Sequence, residues 1–326
     1  MEKIVWLEVH DTEVIKQEDS VLPEGFTVLR PKSRTDVKEH LELLADADYI
    51  IAGAVPIPAE YIQKAPKLKM IQKWGIGVDK IDCEAARTLG IPVNITAGSN
   101  SLPVAELAVG LMFAVNRKIP YIDREMRNGK WLKKEMRAQC YMLTGKTIGL
   151  IGIGNIAKRV AHMLQGFDNT IYYYDIFRLS DEKEKELNVS YLPLEEIMKI
   201  SDVISVHVPL LDSTRNMIGE ELLRSMKKTA IIINTARGGV VDENALLNAL
   251  TEGWIRGAGL DSYSQAPLDP ESPSLKLANC VCTSHNGGGV IDNVVHVTKH
   301  AFENIQKFSL NMPMDPRDVI VPRKED

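Results

Sequence analysis

Lys146-Thr147-Ile148-Gly149-Leu150-Ile151-Gly152-Ile153-Gly154-Asn155-Ile156-Ala157 decides the fold of this chain. A β-branched run ends in Gly-x-Gly-x-x-Ala and passes straight into the helical pattern of Lys158-Arg159-Val160-Ala161-His162-Met163-Leu164. Gly152 permits a tight turn, and Gly154 lets backbone amides approach a pyrophosphate. Small Ala157 allows close packing of helix on strand, with the helix N-terminus facing the negative charge. A second strand, Ile171-Tyr172-Tyr173-Tyr174, ends in Asp175, which stands 175 − 152 = 23 positions beyond the first glycine. The expected interval is about 20. The rival reading is a plain turn with an unrelated surface acid; the strand-helix-strand frame favours a dinucleotide site. Asp175 can accept hydrogen bonds from ribose hydroxyls and would repel a 2′-phosphate, so NAD is favoured over NADP, with Arg178 as the one counterweight.

Short β-branched runs alternate with helical patterns on both sides of this motif. Upstream, Ile4 to Val9, Tyr49 to Ala54, Leu68 to Lys73 and Ile91 to Thr96 read as strands, with helices around Val37 to Leu44 and Glu84 to Leu89. A long helix begins at 101. Strands at Thr147 to Ile151, Ile171 to Tyr174, Val203 to Val208, Ala230 to Asn234, Ala258 to Asp261 and Cys280 to Thr283 then match a six-stranded nucleotide-binding sheet. A last helix, from Ile291 to about Phe308, is too small to stand alone and has to pack back on one of the two domains.

The bulk properties agree with a folded protein. The chain has 326 residues, 44% hydrophobic and 25% charged, which is the size of two domains and the composition of neither a disordered nor a fibrous chain. With 39 basic against 44 acidic side chains, no basic excess exists to bind a polyanion, so no nucleic acid partner is expected. Neither a signal peptide nor a membrane span is legible, and the expected location is cytoplasmic. Cys83, Cys140, Cys280 and Cys282 show no Cys-x-x-Cys spacing. They read as reduced packing thiols, and no metal is expected. His296 and His300 are four apart on a helix but lack the glutamate of a His-Glu-x-x-His site.

Several stretches together resemble the D-isomer-specific 2-hydroxyacid dehydrogenases. They are Gly75-Ile76-Gly77-Val78-Asp79, Ser99-Asn100 leading to Val104-Ala105-Glu106, the Gly152 to Ala157 motif and His207-Val208-Pro209, followed by Asn234-Thr235-Ala236-Arg237-Gly238-Gly239, Gly259-Leu260-Asp261 and Ser284-His285-Asn286-Gly287-Gly288. They occur in the family's order and cover nearly the whole chain. The resemblance implies two doubly wound parallel-sheet domains of the α/β class with a cleft between them: a flavodoxin-like substrate domain from 1–98 plus 291–326, and a Rossmann NAD domain from 99–290. It also implies a homodimer, formed partly through the helix beginning at 101.

Hydride exchange at a 2-hydroxy acid needs a carboxylate anchor and an acid/base for the hydroxyl proton. Arg237 ends a strand, and its guanidinium can bridge the carboxylate and the C2 oxygen with two bonds. The rival is a surface arginine paired with Asp242 or Glu243. The amides of Ile76 and Gly77 can hold the same carboxylate as a backbone nest. His285, after the last sheet strand, can take or return the hydroxyl proton beside the nicotinamide. By the resemblance, the remaining NAD contacts fall on Asn155, Ile156, His207, Pro209, Thr214, Thr235, Ala236 and Asp261. For His207, structural packing is the rival.

One position breaks the family pattern. The glutamate that charges the histidine belongs five residues after Asp261, where Ala266 stands; the relay is missing unless Gln265, Asp269 or Glu271 replaces it. Without that anion the imidazolium loses support. A rival therefore exists: an NAD(H)-binding redox sensor with weakened catalysis, as in the C-terminal binding proteins. Gln265 also prompts a formate dehydrogenase reading, but it stands one place early. The sequence does not name the 2-hydroxy acid.

Overall fold

The computed structural model describes residues 1–323, so the last three residues of the 291–326 segment lie outside the described residues. Among the described residues there are thirteen strands: β1 Glu2–Trp6, β2 Phe26–Leu29, β3 Tyr49–Ala52, β4 Met70–Lys73, β5 Val93–Asn94, β6 Thr147–Ile151, β7 Thr170–Tyr174, β8 Val189–Tyr191, β9 Val203–Val206, β10 Ile231–Asn234, β11 Gly257–Leu260, β12 Cys280–Cys282 and β13 Val319–Val321. The chain divides into two compact units, one of Met1–Asn100 with the described residues from Gly288 onward, the other of Ser101–Gly287.

In the first unit the sheet order is β13-β5-β4-β3-β1-β2. All pairings are parallel except that of β13 with β5. The 2-1-3-4-5 order is flavodoxin-like. Alternate residues of β1 feed opposite faces: Val5 packs with Leu44, Ile50 and Ile71, while Ile4 and Trp6 pack with Tyr49, Met70 and Phe302. The final helix, Ile291–Ser309, supplies Phe302 and Ile305 to that second face. An apolar stripe of this kind cannot remain in water, and each such buried side chain contributes about 1.5–3 kcal/mol.

The second unit carries a seven-stranded parallel sheet, β12-β11-β10-β9-β6-β7-β8. It has one strand more than the six expected, because Val189–Tyr191 adds an edge beside β7. Three residues bounded by Asn188 and Leu192 give too short a pattern to recognise. The chain order reverses between β6 and β9, the switch point where open α/β sheets bind ligands beyond the strand carboxyl ends. Ile231 and Ile233 face one hydrophobic core and Ile232 the other. The helix Ser101–Asn116 buries Val104, Ala108, Leu111, Met112 and Val115, and covers β10 and β11. Among the described residues no helix is long and apolar enough to cross a membrane.

Candidate active site

The carboxyl ends of six neighbouring strands in the second unit carry the residues of that unit named as candidates. The β6 end turns at Gly152, whose φ of +95° is left-handed and whose added Cβ would stand 2.9 Å from the His207 carbonyl carbon. Only glycine fits both conditions. The Gly152 amide donates to Tyr174 O at 2.7 Å and the Ile153 amide to Asp175 Oδ2 at 2.8 Å, so the acid at the end of β7 also braces the turn. Asp175 Oδ1 accepts from the Phe177 amide at 3.1 Å. Each carboxylate oxygen keeps a lone pair for a hydroxyl donor. Arg178, the counterweight to NAD, is forked onto Glu184 at 2.9 and 3.2 Å.

Gly154 precedes the helix Asn155–Leu164 and has nothing within 4 Å of an added Cβ. The helix N-terminus therefore opens onto free space, with Asn155 exposed and Ile156 half-buried beside it. Among the described residues, two buried polar atoms beyond neighbouring strands have no partner: His207 Nδ1 after β9 and Thr235 Oγ1 after β10. Buried groups of this kind ordinarily find a partner. Open room at Gly154, an acid at 175 and two orphaned polar atoms fit a bound dinucleotide. His207 Nε2 lies 2.9 Å from Ser205 Oγ, and burial pushes the imidazole down to about 4 from 6.5, so the ring is neutral at physiological pH. Thr214 holds its own loop through Pro209 O at 2.6 Å and the Leu211 amide at 2.8 Å.

Arg237 follows β10 with its guanidinium 2.8 Å from Ala236 O. Asn234 shapes the turn, donating to Arg237 O at 2.9 Å and accepting from the Ala236 amide at 3.0 Å. The two acids considered as its surface partners also serve the backbone. Asp242 caps the helix Glu243–Thr251, and Glu243 accepts the Ser264 amide.

His285 follows β12 in a left-handed conformation, φ +55°, and is exposed. Buried Asp261 organises its loop: Oδ1 accepts from Thr283 Oγ1 at 2.6 Å and the Asn286 amide at 2.8 Å, and Oδ2 from the Gly287 amide at 2.9 Å. Sequence reading missed this clamp, as it missed Ser205 and Glu184; nothing in the residue order announces a carboxylate that binds amides 25 positions away. Ala266 is exposed, as is Gln265, while Glu271 pairs with Lys276 at 2.7 Å and Asp269 accepts the Glu271 amide at 2.8 Å.

In the first unit, Gly75 is fixed by Thr96: its amide donates to Thr96 Oγ1 at 3.0 Å, and its carbonyl accepts the Thr96 amide at 2.9 Å. Ile76 and Gly77 come next, half-buried. His300 is bound to Asp318 at 2.7 Å, and no cluster of three metal-ligating side chains occurs among the described residues.

The family described as "D-isomer specific 2-hydroxyacid dehydrogenase, NAD binding domain" matches residues 109–287. A glyoxylate reductase of Korarchaeum cryptofilum is 41% identical over 82% of this chain and 81% of its own length. A hydroxypyruvate reductase of Thermotoga maritima is 38% identical over 89% and 96%. The NAD-dependent formate dehydrogenase of Staphylococcus aureus, solved in complex with NAD, superposes with a TM-score of 0.86 at 26% identity, covering 99% of this chain and all of that one. Nothing in these likenesses supports the redox-sensor alternative. This chain belongs to the D-isomer-specific 2-hydroxyacid dehydrogenase family and is an NAD-dependent oxidoreductase that interconverts a hydroxy acid and its keto acid.

Proposed function

We propose that Arg237 and His285 carry the reaction and that the substrate is a small 2-keto acid of the glyoxylate or hydroxypyruvate kind. The observation that carries this reading is that Arg237 and His285 lie just beyond the carboxyl ends of two strands of the sheet whose β6 end forms the glycine turn at 152–154. The names of the relatives supply the substrate class. Bound NAD supplies the hydride acceptor, and NADH the donor. Arg237 anchors the carboxylate and polarises the C2 oxygen through a planar fork that favours the developing alkoxide. His285 gives that oxygen its proton during reduction and removes it during oxidation. The amides of Ile76 and Gly77 are assigned to the carboxylate, and Gly152, Gly154, Asn155, Ile156, Asp175, His207, Pro209, Thr214, Thr235, Ala236 and Asp261 to the cofactor, with His285 beside its nicotinamide.

The test is NADH oxidation with a panel running from glyoxylate and hydroxypyruvate to bulky 2-keto acids. Turnover of the small members is expected, and Arg237→Lys lowers kcat/KM by about 10²–10³, since a lysine keeps the charge and loses the fork. Tight NADH binding without turnover of any member sinks the assignment in favour of a sensor. We also propose a homodimer, to be weighed by light scattering, and a cytoplasmic location, which suits four free thiols.

A further inference from the structure

Cys280 and Cys282 lie on the same face of β12, two positions apart, with their sulfurs 3.7 Å from each other. Both residues are half-buried, Cys280 packed against the apolar core and Cys282 the more open of the two. We propose that this pair is a dithiol modification site, oxidised by a low-molecular-weight disulfide to a Cys280–Cys282 bridge that displaces His285. The catalytic consequence rests on the proposed role of His285; the modification itself does not.

The chemistry balances as two successive exchanges. The Cys282 thiolate attacks one sulfur of the reagent, forms a mixed disulfide and expels the other half as a thiol. Cys280 then loses its proton to solvent, attacks Cys282 Sγ and expels the second half, so the pair is oxidised by two electrons and the reagent reduced to two thiols. The environment sorts the roles. The hydrogen bond from Cys280, aided by Tyr263, holds the Cys282 thiol below the usual range, and the same bond together with burial holds the Cys280 thiol above it. The thiolate is the attacking form.

Closure has a structural cost that points at His285. Residues two apart on an extended strand have Cα atoms about 6.6 Å apart, at the upper limit for a disulfide, whose usual span is about 5.5–6 Å. Bridging therefore shortens β12. This strand is an edge, paired only with β11 through Ala258, Gly259 and Leu260. The ladder continues at Thr283, whose amide donates to Leu260 O at 2.9 Å and whose hydroxyl reaches Asp261. Asp261 in turn holds the amides of Asn286 and Gly287, directly after His285. A contraction at 280–282 is thus passed to the imidazole through two residues.

The experiment treats the full-length chain, carrying Cys83→Ser and Cys140→Ser to remove background, with oxidised glutathione. Expected are loss of both remaining thiols, no retained glutathione mass and a bridge mapped to the one peptide containing both positions. Cys280→Ser keeps a glutathione adduct at 282, and Cys282→Ser stays unmodified. Thiols that still titrate after treatment, or a stable adduct on the unsubstituted pair, overturn the proposal. NADH-dependent keto acid reduction falls by roughly ten- to a hundredfold, the scale of a small misplacement of a reacting group, and returns with dithiothreitol. A bridge that leaves the rate unchanged overturns the link to His285, whereas absence of turnover before oxidation counts against the role of His285 and not against the bridge.

Discussion

The tripeptide Gly-Ile-Gly occurs twice, at 75–77 after β4 and at 152–154 after β6, and the two copies do different things. Both open on a left-handed glycine, φ +116° at Gly75 and +95° at Gly152. At 152 the turn is wedged against the next strand and its middle amide is consumed by Asp175, so what it offers is the N-terminus of the helix that begins at Asn155. At 75 the nearest atom to an added Cβ is the Lys73 Cε at 3.9 Å, and no helix begins until Cys83. Among the described residues the amides of Ile76 and Gly77 donate to nothing. One copy presents a helix end suited to a diphosphate, the other adjacent amides suited to a carboxylate. The element that succeeds each tripeptide, and the atoms packed behind it, make the difference.

The largest effect is expected from Gly152→Ala. A left-handed alanine pressed on the His207 backbone is expected to cost about 2–4 kcal/mol in urea unfolding and to abolish measurable NADH binding. An unchanged midpoint would mean the wedge is not what shapes the turn. Gly154→Ala separates cofactor approach from folding. With open space around it and an ordinary φ of −72°, the variant should unfold within about 0.5 kcal/mol of the parent and bind NADH about tenfold more weakly, close to 1.4 kcal/mol. Equal affinity, by calorimetry, would remove Gly154 from the phosphate site.

Thr96→Val probes the other copy. It deletes the hydroxyl that accepts the Gly75 amide, and about 1 kcal/mol of stability should go with it. KM for the keto acid is expected to rise severalfold while the NADH affinity holds; an NADH effect instead would tie this turn to the cofactor. The smallest effect concerns pH. Burial lowers the folded pKa of His207 to about 4 from 6.5, so the unfolded chain takes the proton first. The stabilisation is full well above 6.5 and is lost as pH falls towards 4, with about 0.8 kcal/mol gone by pH 6. His207→Asn should flatten that part of the stability profile, and a parallel shift of both proteins would count against it.

The strands that form the middle of each sheet are legible because buried parallel strands are continuous apolar runs: the pattern gives Thr147–Ile151 to the residue, and Val203, Ala230 and Ala258 mark strand starts within one position. The strands missed, Phe26–Leu29, Val189–Tyr191 and Val319–Val321, are an outer strand of three or four residues in every case. Such segments are recruited by a neighbour's unpaired edge and not by their own pattern. The glycine turn at 152–154 is legible for the opposite reason, since its glycines answer to local geometry that residue type alone reveals.

Residue order alone is enough for the α/β class, the family, the glycine turn at 152–154 with its acid at 175, and the placing of Arg237 and His285 just beyond two strands. Those features depend on residue type and short-range order, through φ, hydrophobic period and charge. Packing in three dimensions was needed to show that Asp261 clamps the His285 loop, that Arg178 forks onto Glu184, that His207 and Thr235 keep polar atoms without a partner among the described residues, and that two thiols sit 3.7 Å apart. The Asp261 clamp and the orphaned atoms of His207 and Thr235 are fixed by how neighbouring strands stack side by side, whereas the Arg178–Glu184 fork and the contact of the two thiols depend on the rotamers taken within one loop and one strand, and residue type states neither.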